Sequence, residues 1–265
     1  MFKAATVLSF GSVLAFLGVL VSPPASAETA AKWTGVYAGG NFGAMFATAE
    51  KFSSANPAFW SGFGPDNIST LNSEAHTKRD RTAFTGGGQI GYNWQSGAFV
   101  VGLEGDLSVA RVSATADTGI LPPPPLSPFL GTHRFSSSIN SDWVATLRLR
   151  AGTAFDKSFV YVTAGPAFTN IKQTSHVEFD SSCGGPSPAC NADSATSKTK
   201  VGFAFGGGIE YKLNQNWSLK GEYLHIDFGS MYAELPNIGC CSGSSFQQDI
   251  RLREDTIKLG LNYRF

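Results

Sequence analysis

Ile257-Lys258-Leu259-Gly260-Leu261-Asn262-Tyr263-Arg264-Phe265 closes the chain, and its alternation decides the fold. Ile257, Leu259, Leu261, Tyr263 and Phe265 fall on one face, while Lys258, Asn262 and Arg264 fall on the other. A period of two is the signature of an extended strand. A continuous apolar face backed by polar side chains fits a strand with lipid on one side and a polar lumen on the other. Its register is then fixed, because a one-residue slip would drive three polar side chains into hydrocarbon.

Working back from this end, seven more alternating runs appear, each bounded by turn residues. The first spans about Trp33 to Thr48, with Val36, Ala38, Phe42, Ala44 and Phe46 on one face. The second, Arg81 to Trp94, sets Phe84, Ile90, Tyr92 and Trp94 against Arg81, Thr85, Gln89 and Asn93. The third sets Phe99, Val101, Leu103, Leu107 and Val109 against Glu104, Asp106 and Ser108. In the fourth, Ile139 to Phe155, Trp143, Ala145, Leu147 and Leu149 oppose Asp142, Thr146, Arg148 and Arg150. The fifth carries Val160, Val162, Ala164 and Phe168 on one face, and Pro166 predicts a bulge or strand end there. The sixth sets Val201, Phe203, Phe205, Ile209 and Tyr211 against Gly202, Ala204, Glu210 and Lys212. In the seventh, Trp217, Leu219 and Tyr223 oppose Lys220 and Glu222, and the alternation blurs from Leu224 through Ile226 to Phe228.

Connection lengths alternate. Gln95-Ser96-Gly97, Asp156-Lys157-Ser158 and Asn214-Gln215-Asn216 are tight turns, whereas Ala49 to Asp80, Val112 to Ser138, Lys172 to Lys198 and Gly229 to Gln248 read as long polar loops. Four such loops are foreign to a compact soluble domain. They suit the outer end of a transmembrane barrel, with short turns and both termini in the periplasm. Trp33, Tyr92, Trp94, Trp217, Tyr263 and Phe265 all fall at that periplasmic end, as an aromatic girdle would.

Composition agrees. Mean hydropathy is −0.04, as expected when lipid-facing and lumen-facing residues average out. Charged residues are only 15% and aromatics 12%, with 30 glycines. At the N-terminus, Lys3 precedes the apolar run Ala4 to Val21, then Ser22-Pro23-Pro24 and the small-x-small site Ala25-Ser26-Ala27. This predicts a cleaved signal peptide over 1–27 and a barrel domain over 28–265 starting at Glu28. The alternative, a retained helical anchor, is countered by the helix breakers. Formal net charge is +0 with no basic block, so nucleic acid is not an expected partner.

The terminal strand resembles the signal by which the barrel-assembly machinery recognises its clients, carried by Ile257, Leu259, Leu261, Tyr263 and Phe265. Trp33-Thr34-Gly35-Val36-Tyr37-Ala38-Gly39-Gly40-Asn41-Phe42-Gly43 resembles the opening of the small outer-membrane proteins of alphaproteobacteria, the porin-family, OmpA/opacity-like eight-stranded barrels. Gly206-Gly207-Gly208-Ile209-Glu210-Tyr211 and Asn216-Trp217-Ser218-Leu219-Lys220-Gly221-Glu222-Tyr223-Leu224 are similar to the same family. The resemblance implies an all-β, eight-stranded antiparallel barrel in the outer membrane with a structural and surface-exposed role. Its expected partners are outer-membrane lipid and lipopolysaccharide and the assembly machinery, with haem or a host surface as further ligands for the loops. It supplies no catalytic residues.

Several constellations bear on function. Gly86-x-Gly88-x-x-Gly91 matches a dinucleotide fingerprint, but no helix follows it to meet a pyrophosphate. Glu104 and Asp106 share a face two residues apart, a spacing open to acid–base chemistry. Arg148 and Arg150 face them from the next strand, so an ionic plug of the lumen is expected, extended by Glu210, Lys212, Lys220, Glu222 and Lys258. His76, His133, His176 and His225 are scattered without ligand spacing, the first three in expected loops, and no Ser/His/carboxylate grouping stands out at the outer rim. Cys183 and Cys190 bracket six residues, and Cys240 and Cys241 are adjacent. The four allow a local 183–190 bridge or two bridges between loops. No catalytic, cofactor or metal site is assigned. The function expected is a structural, surface-exposed barrel that contributes to envelope integrity and surface interactions, against a haem or ligand receptor or a narrow channel.

Deleting Phe265 is expected to leave export and signal cleavage intact while the protein accumulates in the periplasm, and refolding into detergent should change little. Wild-type levels of the truncated chain in the outer membrane of cells would overturn the assembly reading.

Overall fold

The computed structural model describes residues 32–55, 65–122, 132–179, 190–236 and 245–265. The expected signal segment 1–27, Glu28, and the side chains of all four cysteines lie outside the described residues. The alternating runs form eight antiparallel strands: β1 Gly35–Ala55, β2 Thr77–Ser96, β3 Phe99–Asp117, β4 His133–Phe155, β5 Ser158–Phe179, β6 Cys190–Lys212, β7 Trp217–Pro236 and β8 Ser245–Arg264. Each pairs with the next, and β1 pairs back onto β8 with Tyr37 opposite Arg264, closing the barrel. Closure satisfies every edge, which hydrocarbon demands because it offers backbone groups no hydrogen bonds.

The strands run 19 to 23 residues, about twice the ~9–11 needed to cross a bilayer at a tilt. The outward apolar positions concentrate in the lower half, with Phe52, Phe84 and Tyr232 exposed above it. On β3 they are Phe99, Val101, Leu103, Leu107 and Val109, and on β8 Ile257, Leu259, Leu261 and the terminal Phe265, all exposed. Above this belt the outer wall turns polar, with cross-strand pairs such as Lys172 Nζ on Asp142 Oδ2 at 2.8 Å and Lys78 on Glu50 at 3.2 Å. The register shifts on β3–β4, β4–β5 and β7–β8 fall at Val109/Val112, Ser141/Val144 and Asp227/Ser230, where these strands leave the belt. Gly229 takes φ 63° in the last of these, and its N–H donates to Asp227 Oδ1. An αL residue is what a glycine-type bulge requires.

The long connections are therefore shorter than the sequence implies. Residues 49–55, 77–80, 112–117, 133–138, 172–179, 190–198, 229–236 and 245–248 are strand, and α1, Pro65–Glu74, stands inside the first connection. Serine, threonine and alanine in these upper segments read as loop one strand at a time. The neighbouring strand, which supplies the hydrogen bonds, makes them sheet. At the top of β3, Arg134 clasps Asp117, and this bond with the Gly119 N–H holds the exposed Asp117 carboxyl down at about 2. The nucleotide-like glycines lie within β2, followed by β3 and no helix.

Three local expectations are corrected. Asp142 faces outward to Lys172, because the bulge at Ser141/Val144 resets the alternation above Val144. Arg81 has the inward parity of Thr85 but is exposed, and its Nε donates to the Ser113 carbonyl. Pro166 neither ends nor bulges β5. The register with β4 is the same at Thr146↔Ala167 and Leu149↔Ala164, and Pro166 pairs with Phe203 on β6. Past Glu222 the inward residues are Leu224, Ile226 and Phe228, which is why apolar side chains blurred the pattern there.

Inward glycines let the strands pass closely. A Cβ on Gly206 would lie 2.0 Å from the Tyr223 carbonyl oxygen, whereas one on the outward Gly221 would meet only side-chain atoms at 3.9 Å or beyond. Gly206→Val is expected to destabilise the refolded barrel by about 1–3 kcal/mol or block refolding, as overpacking does. Gly221→Val should refold like wild type, and equal urea midpoints for the two would overturn this account.

Candidate functional site

Eight strands leave an interior just wide enough for side chains, and here it is filled in two layers. The lower layer is ionic. Glu104 on β3 accepts hydrogen bonds from Tyr37 Oη at 2.8 Å, Arg148 Nη2 at 2.8 Å, Arg150 Nη1 at 3.0 Å and Lys220 Nζ at 3.0 Å. Arg148 reaches on to Glu222 at 3.1 Å and Arg150 to Glu210 at 2.6 Å, while Tyr161 Oη donates to Glu222 at 2.9 Å. Beside this cluster Asp106 takes Lys258 Nζ at 2.8 Å and Asn41 Nδ2 at 2.7 Å. The Arg150 guanidinium lies 4.1 Å from the Tyr161 ring centroid and 4.9 Å from that of Phe159.

The structure thus brings together Glu104, Asp106, Arg148, Arg150, Glu210, Lys220, Glu222 and Lys258, each nearly or wholly buried. Their formal charges cancel, four acids against four bases. Besides the bonds of Arg148 and Arg150 to Glu104 on the adjacent strand, the bonds Lys220–Glu104, Arg148–Glu222, Arg150–Glu210 and Lys258–Asp106 run between strands that are not neighbours. Such burial is tolerable only where the charges are paired and the remaining lone pairs are used. For the carboxylates of Glu104, Asp106, Glu210 and Glu222, every oxygen has a donor. Lys212, expected in this plug, is elsewhere: its Nζ donates to the Lys32 carbonyl. Sequence reasoning reads Gln89 and Asn262 as inward but not as members of this network, and it does not pick out Tyr37, Tyr161 and Asn41.

The upper layer is apolar. Met45, Ala47, Val112, Ile139, Val144, Ile171, Ile226, Phe228, Met231, Ile250 and Leu252 pack together inside the barrel. Where the two layers meet, Glu254 is 0% exposed and neither of its carboxylate oxygens has a hydrogen-bond partner.

The histidines do not converge. His133 and His176 lie in β4 and β5, not in loops as expected, and His225 lies in β7. His133 Nε2 is 2.8 Å from Glu74 of α1, fastening that helix to the barrel, and His225 Nδ1 is 2.8 Å from Asp255. Among the described residues no group of three or more histidine, cysteine, aspartate or glutamate side chains is placed to hold a metal. One grouping not seen in the sequence does form: Ser136, His176 and Asp193 stand opposite one another on β4, β5 and β6, with His176 Nδ1 2.7 Å from Asp193. The Asp193 side chain is 80% exposed, and the backbone N–H groups around it serve the sheet. The row therefore lacks the oxyanion donors and water exclusion of a nucleophilic site.

The outer girdle holds Tyr92, Trp94, Trp217, Tyr263 and Phe265, with Trp217 and Tyr263 ring centroids 5.1 Å apart. Trp33 departs from it. It is 0% exposed and packs inside the mouth, 5.4 Å from Phe159. Ile257, Leu259 and Leu261 face outward on β8, and Phe265, just past its end, is exposed as well.

Arg148→Ala is expected to cost about 3–5 kcal/mol in urea refolding, because it removes a buried charge partner of Glu104 and orphans Glu222 Oε1. Glu254→Met should instead stabilise by about 1–3 kcal/mol, removing a buried group with no partner. A loss of stability in Glu254→Met would show that its carboxylate is paired.

Comparison with known proteins agrees with this architecture. The chain is 32% identical over 256 residues to the 31 kDa outer-membrane immunogenic protein of Brucella melitensis biotype 1, covering 93% of this chain and 91% of that one. It is 26% identical over 215 residues to the 22 kDa outer membrane protein of Rhizobium leguminosarum bv. viciae, covering 78% of each. Among solved structures it is similar to OprG of Pseudomonas aeruginosa, at 15% identity and TM-score 0.40, covering 88% of this chain and 96% of that one. It is also similar to Ail of Yersinia pestis bound to a heparin analogue, at 14% identity and TM-score 0.37, covering 85% and 99%. Residues 12–265 match the outer membrane protein beta-barrel domain, and the chain belongs to that family, a protein of the cell outer membrane.

Proposed function

We propose that this protein is a closed, non-conducting barrel that serves the envelope structurally and displays a rigid polar wall, with its connecting loops, at the cell surface. The observation that carries this reading is the doubly filled lumen, a neutral ionic layer below and an apolar layer above. An ion crossing would have to displace paired charges and then shed its water among Met45, Ile226, Phe228 and Leu252. The upper halves of the strands extend beyond the apolar belt, which gives the outer end a framework of paired sheet. That relatives are named outer-membrane immunogenic proteins supports an accessible outer surface here too.

In planar bilayers the refolded protein should show no steady unitary conductance, and antibodies against the upper wall should label intact cells. Stepwise channels of reproducible size would overturn the closed-lumen reading in favour of a narrow pore. Haemin added to the same sample should keep the spectrum of free haemin, and a saturable shift of its Soret band would favour a ligand receptor instead.

A further inference from the structure

At the periplasmic mouth two buried cations share one neutral acceptor. Lys212, the last residue of β6, and Arg264, the last of β8, are 9% and 6% exposed. Lys212 Nζ and Arg264 Nη1 each donate to the Lys32 carbonyl at 2.6 Å. Both lie against the same ring, 5.2 Å and 5.0 Å from the Trp33 centroid. Arg264 Nε is buried with no hydrogen-bond partner. Glu210 is the acid whose charge both feel, but its oxygens are already engaged by Arg150, Ser218 and Asn262. An indole face attracts cations but carries no net charge, so two like charges sit side by side at the mouth with no carboxylate among the described residues in a salt bridge to either. That arrangement is costly until an anion joins it.

The same two side chains line an open recess of about 790 Å3, with Lys32 and Lys157 exposed at its rim and no acidic side chain among its described lining residues. Leu213 and Phe265, 54% and 76% exposed, form an apolar part of that lining. They lie at the level of the aromatic girdle, where a membrane's headgroups meet the barrel.

We propose that this mouth binds a phosphate-class oxyanion, gripped by Lys212 and Arg264 and drawn in by Lys32 and Lys157. A phosphate presents several acceptor oxygens to the guanidinium fork and the ammonium together, which the single Lys32 carbonyl cannot do. Free phosphate and the headgroup of an anionic phospholipid carry this same chemistry.

The test uses the signal-processed barrel refolded in uncharged detergent and titrated with inorganic phosphate by calorimetry. A second arm places it in nanodiscs of phosphatidylcholine with or without phosphatidylglycerol, counting retained lipid by native mass spectrometry. Saturable one-site phosphate binding is expected, weakened at least tenfold in Lys212→Gln and Arg264→Gln and unchanged in Lys198→Gln on the upper wall. Lys32→Gln and Lys157→Gln, on the exposed rim where refolding is not at stake, should each weaken it several-fold. Retention of phosphatidylglycerol that phosphate displaces identifies the headgroup as the source, and binding of phosphate alone identifies the free ion. Binding that does not saturate, or that rim and buried variants leave unchanged, overturns the proposal. So does binding that appears only in Glu28→Gln, since the chain's own carboxylate would then be the occupant.

Discussion

Glu104 holds the interior of this barrel together. One carboxylate on β3 accepts from side chains on β1, β4 and β7, so it ties together strands that the sheet ladder itself never joins. Backbone pairing closes the ring but leaves open what fills it. In a narrow lumen out of contact with water, a carboxylate is tolerable only when its lone pairs are taken and its charge is matched. That demand propagates. Arg148 and Arg150, drawn to Glu104, require Glu222 and Glu210, which in turn take Tyr161, Ser218 and Asn262. The lower half of the protein is one network grown from that constraint.

The upper half obeys a different one. Hydrocarbon needs an apolar outside over about ten residues of each strand, and the strands continue well past it. Outside the membrane, the exterior can be serine, threonine and paired charge, so the interior takes over the apolar role and packs as a small core. The register shifts on three strand pairs mark the change of regime. Bulges increase local twist and re-aim side chains, which is the adjustment needed where lipid-facing wall becomes water-facing wall. Glu254 sits where the two interiors meet, buried with neither carboxylate oxygen hydrogen-bonded. The result is a stiff, closed post, half in the bilayer and half above it.

Much of this was legible in the residues themselves. Strand number, facing and closure follow from a period of two, because a side chain's face in a strand is set by its own position. The eight lumen charges could be named for the same reason, since polar residues alternating with Leu, Val and Phe in a membrane strand have only the lumen to enter. What remained hidden depends on other strands. Asp142 has inward parity in its own run and faces outward because of a bulge against β5. The upper strand segments carry loop-like composition and become sheet only when a neighbour offers its ladder. Trp33 resembles a girdle residue by its distance from a turn, yet it seals the mouth beneath Lys212 and Arg264. Residue type and alternation thus determined the barrel, its outer belt and its lumen charges by themselves. Only the tertiary structure decided where the wall ends, which charges find partners and which are left waiting for one, because those depend on distances between residues far apart in the chain.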